Sequence, residues 1–289
     1  MTEYSWWVGG QIGYLDTGDG RVAYRYWDEA RQAPRTLLGI HGLGGNSENY
    51  IALGEALQPE VAVYAIDLAG NGESGTPGDV AGHTVHWRNL DALSAFIRAQ
   101  HPQARRYLAG YSLGAAYAPA WVARNGRAVS GLILFAPPYR NVFKLPPHVA
   151  IAFQVLTRLM PRRYIRVVAR SNQRIEPRYL FEMSSDKFIR ARTLRALKAS
   201  ADIVPIGERA LPHVTLPTLI VHGDADAVAK PDGARLAYAR LGAADKTLAW
   251  IPGAQHDLYD VLSGVKNNAV SDEQRAQVIG VVREWLERH

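Results

Sequence analysis

The sequence predicts an α/β fold, a mostly parallel central sheet flanked by helices, with a helical segment inserted near the middle of the chain. Three observations carry this. Short β-prone runs alternate with helix-like stretches up to about residue 136 and again from about residue 216, the pattern of right-handed crossovers. The runs at 36–40, 61–66 and 131–135 are continuously apolar, as strands buried on both faces are. Between them the alternation stops, and residues 140–200 read as helices broken at Pro146-Pro147, Pro161 and Pro177, with no strand. A chain of 289 residues that is 47% hydrophobic can bury one large core with an inserted subdomain. The expected division is 1–136 and 206–289 for the core and 137–205 for a helical cap.

Each element has a local reason. Runs at 12–15 and 22–27, separated by Asp16-Thr17-Gly18-Asp19-Gly20, predict an antiparallel hairpin at one sheet edge. The strand at 36–40 ends in the loop His41-Gly42-Leu43-Gly44-Gly45, and a helix over about 48–57 follows behind Asn46 and Ser47 as cap candidates. The strand at 61–66 ends at Asp67-Leu68-Ala69-Gly70-Asn71-Gly72-Glu73-Ser74. Thr84 is placed to cap a helix reaching about residue 100, with Trp87, Leu90, Leu93, Ser94 and Ile97 at helical spacing. The strand at 106–111 runs into a small-residue helix beginning near Ala115, and the strand at 131–135 is stopped by Pro137-Pro138. After the insertion come a strand at 216–221, a helix over about 231–241, a strand at 247–251 and a last helix over 271–288. Ser271 caps that helix, with Asp272 and Glu273 favourable at its N-terminus.

Composition excludes several classes. With no cysteine there is no disulfide framework, thiolate metal site or cysteine nucleophile. That fits a reducing compartment, and a cytoplasmic location is expected. Residues 1–7 lack the basic and apolar regions of a signal peptide. The longest uncharged stretch, 107–123, contains Pro119 and several glycines and reads as buried core, not a membrane span. Charge is uneven. Residues 140–200 hold fourteen Lys/Arg against three Asp/Glu, a net of +11 in a chain whose total is +6. Leu145, Val149, Phe153, Leu156 and Met160 recur there near helical spacing. One reading is solvated helices with arginines outward. The other is an apolar stripe facing the active site, with a basic face on an anionic lipid surface. Nucleic acid is not expected, because the segment lacks interleaved aromatics and any binding module.

The chemistry-bearing stretch is Gly110-Tyr111-Ser112-Leu113-Gly114, a G-x-S-x-G placed between strand and helix. Such a turn points the serine hydroxyl outward, and the new helix directs free N–H groups at whatever that hydroxyl attacks. A serine needs a base within hydrogen-bond reach, and the base needs a third group to orient it. In a parallel sheet these come from loops after later strands, in the order serine, acid, histidine. His222-Gly223-Asp224-Ala225-Asp226 supplies two acids after one strand, and Pro252-Gly253-Ala254-Gln255-His256 a histidine after the next. His41 and His222, each before a glycine at a strand end, read as structural. The remaining histidines show no metal spacing. Gly42, Gly44 and Gly45 lack the lysine or the G-x-G-x-x-G spacing of a nucleotide loop. No metal and no cofactor is expected. Trp6 and Trp7 read as packing against the hairpin or touching lipid.

His-Gly-Leu-Gly-Gly at 41–45, the motif at 67–74, Gly-Tyr-Ser-Leu-Gly at 110–114, His-Gly-Asp-Ala-Asp at 222–226 and His256 together resemble the α/β-hydrolase superfamily. Within it the chain is most similar to the monoacylglycerol lipase and lysophospholipase group. The resemblance spans nearly the whole chain and is weakest in the insertion, where that group carries a variable cap. It implies an α/β-hydrolase fold and cleavage of carboxylic esters of acylglycerol, lysophospholipid or similar type through an acyl-enzyme. Carried over by position, Ser112 is the nucleophile, His256 the general base and Asp226 the orienting acid, third after the glycine of His-Gly. Asp224 is the rival, and Asp257 and Asp260 sit too near the histidine in sequence to face its Nδ1. The backbone N–H groups of Leu43 and Leu113 would form the oxyanion hole. The group's second motif usually reads Asp-His-x-Gly-His-Gly-x-Ser; Leu68 and Asn71 replace its histidines here and read as turn residues. The implied partner is a small acyl ester, with transient contact to an anionic lipid surface through the basic cap; oligomeric state stays open. An acyltransferase or small-ester esterase on the same triad is the alternative, followed by a non-catalytic binding protein of this fold. Dehalogenases and epoxide hydrolases of this fold carry aspartate at the elbow, which Ser112 argues against.

Overall fold

The apolar runs do form the strands of one sheet. The computed structural model describes residues 9–28, 33–140, 146–166, 189, 191–259 and 270–289. Its strands are β1 (Gln11–Thr17), β2 (Gly20–Trp27), β3 (Arg35–Ile40), β4 (Val61–Ile66), β5 (Arg105–Tyr111), β6 (Gly131–Phe135), β7 (Tyr164–Arg166), β8 (Ala191–Thr193), β9 (Thr218–Gly223) and β10 (Lys246–Ile251). Eight of them pair in the order β1-β2-β4-β3-β5-β6-β9-β10. The β1–β2 hairpin is antiparallel and joins β4 antiparallel at the edge, and every other pairing is parallel. β4, β6 and β9 are buried at every residue, as both-face burial requires.

Helices α1 (Ile51–Leu57), α2 (His83–Gln100), α3 (Leu113–Asn125), α6 (Pro231–Arg240) and α7 (Asp272–Arg288) cover the two faces, while α4 (Pro147–Leu159) packs on α5 (Leu194–Ala210), which in turn packs on α3. One core layer joins Leu90, Leu93 and Ile97 of α2 to Tyr117 and Trp121 of α3 and to Leu108, Leu132 and Ile220 of the sheet. The opposite layer joins Leu53 and Leu57 of α1 to Val278 and Trp285 of α7 and to Leu37 and Ile133. The uncharged stretch at 107–123 is thus β5, the turn and most of α3, buried in the middle of the protein. Among the described residues no helix is long and apolar enough to cross a membrane.

Four details differ from or refine the sequence reading. α2 starts at His83 with Gly82 as its N-cap, so Thr84 is an exposed first-turn residue and caps nothing; the His83 ring packs edge-on against Trp87 at 4.9 Å and extends the helix. Asn46, not Ser47, supplies the cap before α1, accepting from the Glu48 N–H at 2.8 Å. Residues 140–200 contain a strand pair after all: β7 and β8 form a two-stranded antiparallel ribbon. Three-residue strands paired across a long sequence separation leave no periodicity to read. α5 runs through the expected boundary at 205, and its Ile203 and Ala210 belong to the core against α3.

The predicted apolar stripe of α4 faces outward: Val149, Leu156 and Met160 are exposed and Phe153 is half-buried. Ile151 (66% exposed), Val155 and Leu159 (72%) are exposed beside them, and only Thr157 of the helix is buried. Leu145, Trp6, Trp7 and Asp260 lie outside the described residues.

Ser271 accepts from the Gln274 N–H at 3.1 Å, and the Gln274 side chain returns a bond to the Ser271 N–H. Ser271→Ala is expected to cost about 1 kcal/mol, read as a lower denaturant midpoint at unchanged slope.

Candidate active site

The loops after β3, β5, β9 and β10 meet at the C-terminal edge of the sheet. Ser112 lies between β5 and α3 with φ 52° and ψ −115°, backbone that a side-chain-bearing residue adopts only under constraint. Two glycines permit it. A Cβ at Gly110 would meet the Gly114 carbonyl oxygen at 2.3 Å, and one at Gly114 would meet the Ile40 carbonyl oxygen at 2.1 Å. The turn is held by the Ser112 N–H donating to Phe135 O (2.9 Å) and the Ala115 N–H donating to Ser112 O (2.8 Å).

Ser112 Oγ lies 2.9 Å from His256 Nε2, and His256 Nδ1 lies 2.8 Å from Asp226 Oδ2. The carboxylate fixes the tautomer: Nδ1 carries the proton and Nε2 can accept from the serine hydroxyl. Asp226 is itself held, its Oδ1 accepting from the Val228 and Ala229 N–H groups at 2.8 and 2.9 Å. Burial alone would depress His256. The charge and hydrogen bond of Asp226, with a smaller contribution from Asp257, outweigh it and leave the imidazole above its ordinary pKa. The rival acid Asp224 is exposed and turned away, accepting from the Gly253 N–H at 2.7 Å. Asp257 Oδ1 accepts from Tyr111 Oη (3.1 Å), which also lies 2.9 Å from the His256 carbonyl oxygen. Tyr111 therefore ties the serine turn to the histidine loop, a role that nothing in the variable position of G-x-S-x-G announces.

Leu113 is the first residue of α3, so its N–H is one of the donors a helix leaves without an intrahelical acceptor. Leu43 sits in the turn closed by Gly45 N–H donating to Gly42 O at 3.3 Å. His41 organises this turn. The Leu68 N–H can only donate, so His41 Nε2 accepts it (3.0 Å) and the Nδ1 proton goes to Gly42 O (2.7 Å). Burial, reinforced by the charge of Arg192, pushes His41 down to about 4 and keeps it neutral. His222 is likewise lowered by burial, and its Nε2–H donates to Ala229 O at 2.8 Å. Among the described residues no cluster of His, Asp or Glu could hold a metal ion.

This is the architecture of a serine hydrolase on an α/β-hydrolase fold. The chain belongs to the family described as serine aminopeptidase, S33, which matches residues 31–260. It is a monoacylglycerol lipase-like carboxylic ester hydrolase. It is 24% identical over 289 residues to the monoacylglycerol lipase of Mycolicibacterium smegmatis, covering 96% of each chain. It is 27% identical to the monoglyceride lipase of Homo sapiens, covering 88% of this chain and 86% of that one. Among solved structures it superposes on the Paleococcus ferrophilus monoacylglycerol lipase with a TM-score of 0.74 (20% identity, 92% of this chain and 98% of that one). The fold also matches a soluble variant of the Saccharomyces cerevisiae monoglyceride lipase with a TM-score of 0.77 (19% identity, 100% and 99%).

Asp226→Asn, which removes the acceptor for Nδ1–H, is expected to lower kcat roughly 10⁴-fold. Asp224→Asn keeps its Oδ1 for Gly253 and should leave kcat near that of the native protein; steady-state ester kinetics on both variants separates the two acids. If His256 is the base it must be unprotonated, and since it is raised, kcat/KM should fall as pH drops through a midpoint above the ordinary imidazole range, which a pH–rate profile reads.

Proposed function

We propose that this protein hydrolyses monoacyl esters of the acylglycerol or lysophospholipid type through an acyl-enzyme on Ser112. The observation that carries the reading is the line Ser112–His256–Asp226, with contacts of 2.9 and 2.8 Å. Ser112 Oγ attacks the acyl carbonyl while His256 Nε2 takes its proton. The Leu43 and Leu113 N–H groups receive the oxyanion, a contribution of roughly 3 kcal/mol for each such donor. The protonated His256 then gives its proton to the leaving alcohol oxygen as the C–O bond breaks. Water repeats the sequence on the acyl-enzyme, releasing the acid and restoring Ser112. The curated relatives reported above are monoacylglycerol and monoglyceride lipases, which favours a lipid ester over a peptide amide.

Residues 146–166 and the β7–β8 ribbon serve as part of a cap beside the site. Residues 146–166 hold Arg158, Arg162, Arg163 and Arg166 and no acidic residue, beside the exposed apolar residues of α4. That combination suits a surface of anionic lipid, where each basic residue contributes about 1 kcal/mol and the apolar side chains enter the acyl boundary.

The chemistry is tested by hydrolysis of p-nitrophenyl esters of increasing chain length. The expected result is an optimum at medium or long acyl chains and loss of turnover in Ser112→Ala. Ester turnover that survives in Ser112→Ala would sink the mechanism. The surface contact is tested with phosphatidylglycerol vesicles. Salt-sensitive binding should be lost in the Ile151→Asp/Leu159→Asp protein while its turnover of soluble short esters persists. Equal vesicle binding by both proteins would rule α4 out as the contact.

A further inference from the structure

Arg192, on β8 of the cap ribbon, is 5% exposed, and among the described residues no carboxylate pairs with it. Its Nη2 donates to Asn71 Oδ1 at 2.6 Å. Asn71 is one of the two positions where this chain departs from the usual second motif, and it is fully engaged. Its Nδ2 donates to Leu68 O at 3.1 Å and lies 3.3 Å from Ala69 O. The Leu68 N–H in turn donates to His41 Nε2 at 3.0 Å, and His41 Nδ1–H donates to Gly42 O at 2.7 Å. Gly42 lies against the nucleophile, since a Cβ there would be 3.2 Å from the Ser112 Cβ. A continuous chain of contacts therefore runs from the cap arginine to the loop holding Leu43.

The charge at its start is unusual. A buried cation without a counter-charge costs several kcal/mol, so its retention calls for a negative charge to answer it. Burial lowers Arg192 only to about 10, so it stays charged. Among the described residues its surroundings offer no neutralisation. His86 and Tyr117, both buried, meet ring edge to face at 5.2 Å, and burial holds His86 uncharged, at about 3. Asp79, the nearby acid of the same loop, is taken by Arg195 and Thr193.

We propose that Arg192 is a positioning residue of the oxyanion loop: through Asn71, Leu68 and His41 it fixes the turn at Gly42–Leu43, and its charge, unpaired among the described residues, supplies positive potential to the loop that meets the acyl oxygen as it becomes negative. The proposal rests on the hydrolytic reading above. The counter-charge to Arg192 is then the tetrahedral intermediate, present only during turnover. Preorganised charge of this kind accelerates the chemical step and leaves substrate binding alone.

The test uses the full chain with Arg192→Gln, which keeps a donor for Asn71 but no charge, and Arg192→Lys, which keeps both. In Arg192→Gln, kcat on a p-nitrophenyl ester should fall roughly tenfold or more with KM little changed. Affinity for a trifluoromethyl ketone, which Ser112 converts to an anionic hemiketal, should weaken by the same factor. Arg192→Lys should recover most of both, and the thermal midpoint of Arg192→Gln should not drop, since a buried charge has been removed. Native kcat in Arg192→Gln, a loss confined to KM, or a folded Arg192→Lys as impaired as Arg192→Gln would each overturn the proposal. Should Arg192→Gln not fold, Arg192→Met, which also lacks the charge, takes its place in each comparison. If the native protein turns over no ester, the hydrolytic reading fails separately. Arg192 is then read by the rate at which Ser112 displaces fluoride from a fluorophosphonate: slower labelling in Arg192→Gln supports the proposal, and equal labelling overturns it.

Discussion

Ser112's backbone is the constraint on which the catalytic centre depends. Holding a residue with a side chain at φ 52° costs on the order of 1–3 kcal/mol, so its surroundings must leave it no alternative. They do so from two sides. β5 lies inside the sheet between β3 and β6, and β6 accepts the Ser112 N–H through Phe135 O. α3 begins one residue later and is buried along most of its length. The close packing at Gly110 and Gly114 then presses the loop after β3 against the serine. The strain, the glycines and the nearness of Gly42 are one feature seen from three positions.

Around that turn, the charge state of each histidine is decided by what it touches, because burial treats them alike. His41, His86 and His222 are all lowered by desolvation and stay neutral. His256 is equally buried yet raised, because Asp226 Oδ2 approaches its Nδ1 to 2.8 Å with Asp257 close behind. His222 has the same Asp226 oxygen at 3.5 Å, and that longer contact does not overcome its burial. Less than an ångström in the distance to Asp226 separates a histidine that burial lowers from one that its partner raises.

Much of this was legible in the sequence because it is local. Buried strands read as continuous apolar runs, the serine turn as two glycines, and the order of loops followed from the parallel sheet. The choice between Asp224 and Asp226 was not local. Both follow the same strand, and the sequence preferred Asp226 only through resemblance; in the structure Asp224 turns outward to Gly253 while Asp226 is buried beside His256. Arg192 was further out of reach. It is one of fourteen basic residues in the segment 140–200, and nothing in its sequence neighbourhood marks it for burial. Its burial is set by β7 and β8, strands too short to predict, and by Asn71, which reads in isolation as an ordinary turn residue.

The ribbon gives the cap a fixed point. Leu194 N–H donates to Arg163 O and Arg195 N–H to Pro161 O, both at 3.0 Å, so the segment following α4 is fastened to the start of α5. Tyr164 Oη–H donates to Pro77 O at 2.9 Å, and Thr193 and Arg195 both bond Asp79, which fastens the ribbon to the loop after β4. α5 continues into the core, where a Cβ at Gly207 would meet Ala116 O of α3 at 2.3 Å. The exposed face of α4 therefore contributes little to folding, while its C-terminal end is rooted in the frame that holds Ser112. Arg192 lies on the ribbon at that root. In the role proposed for it, an arginine drawn from the cap would make the oxyanion loop depend on the cap being seated. The surface that would meet lipid and the loop that would meet the acyl oxygen are then parts of one mechanical unit.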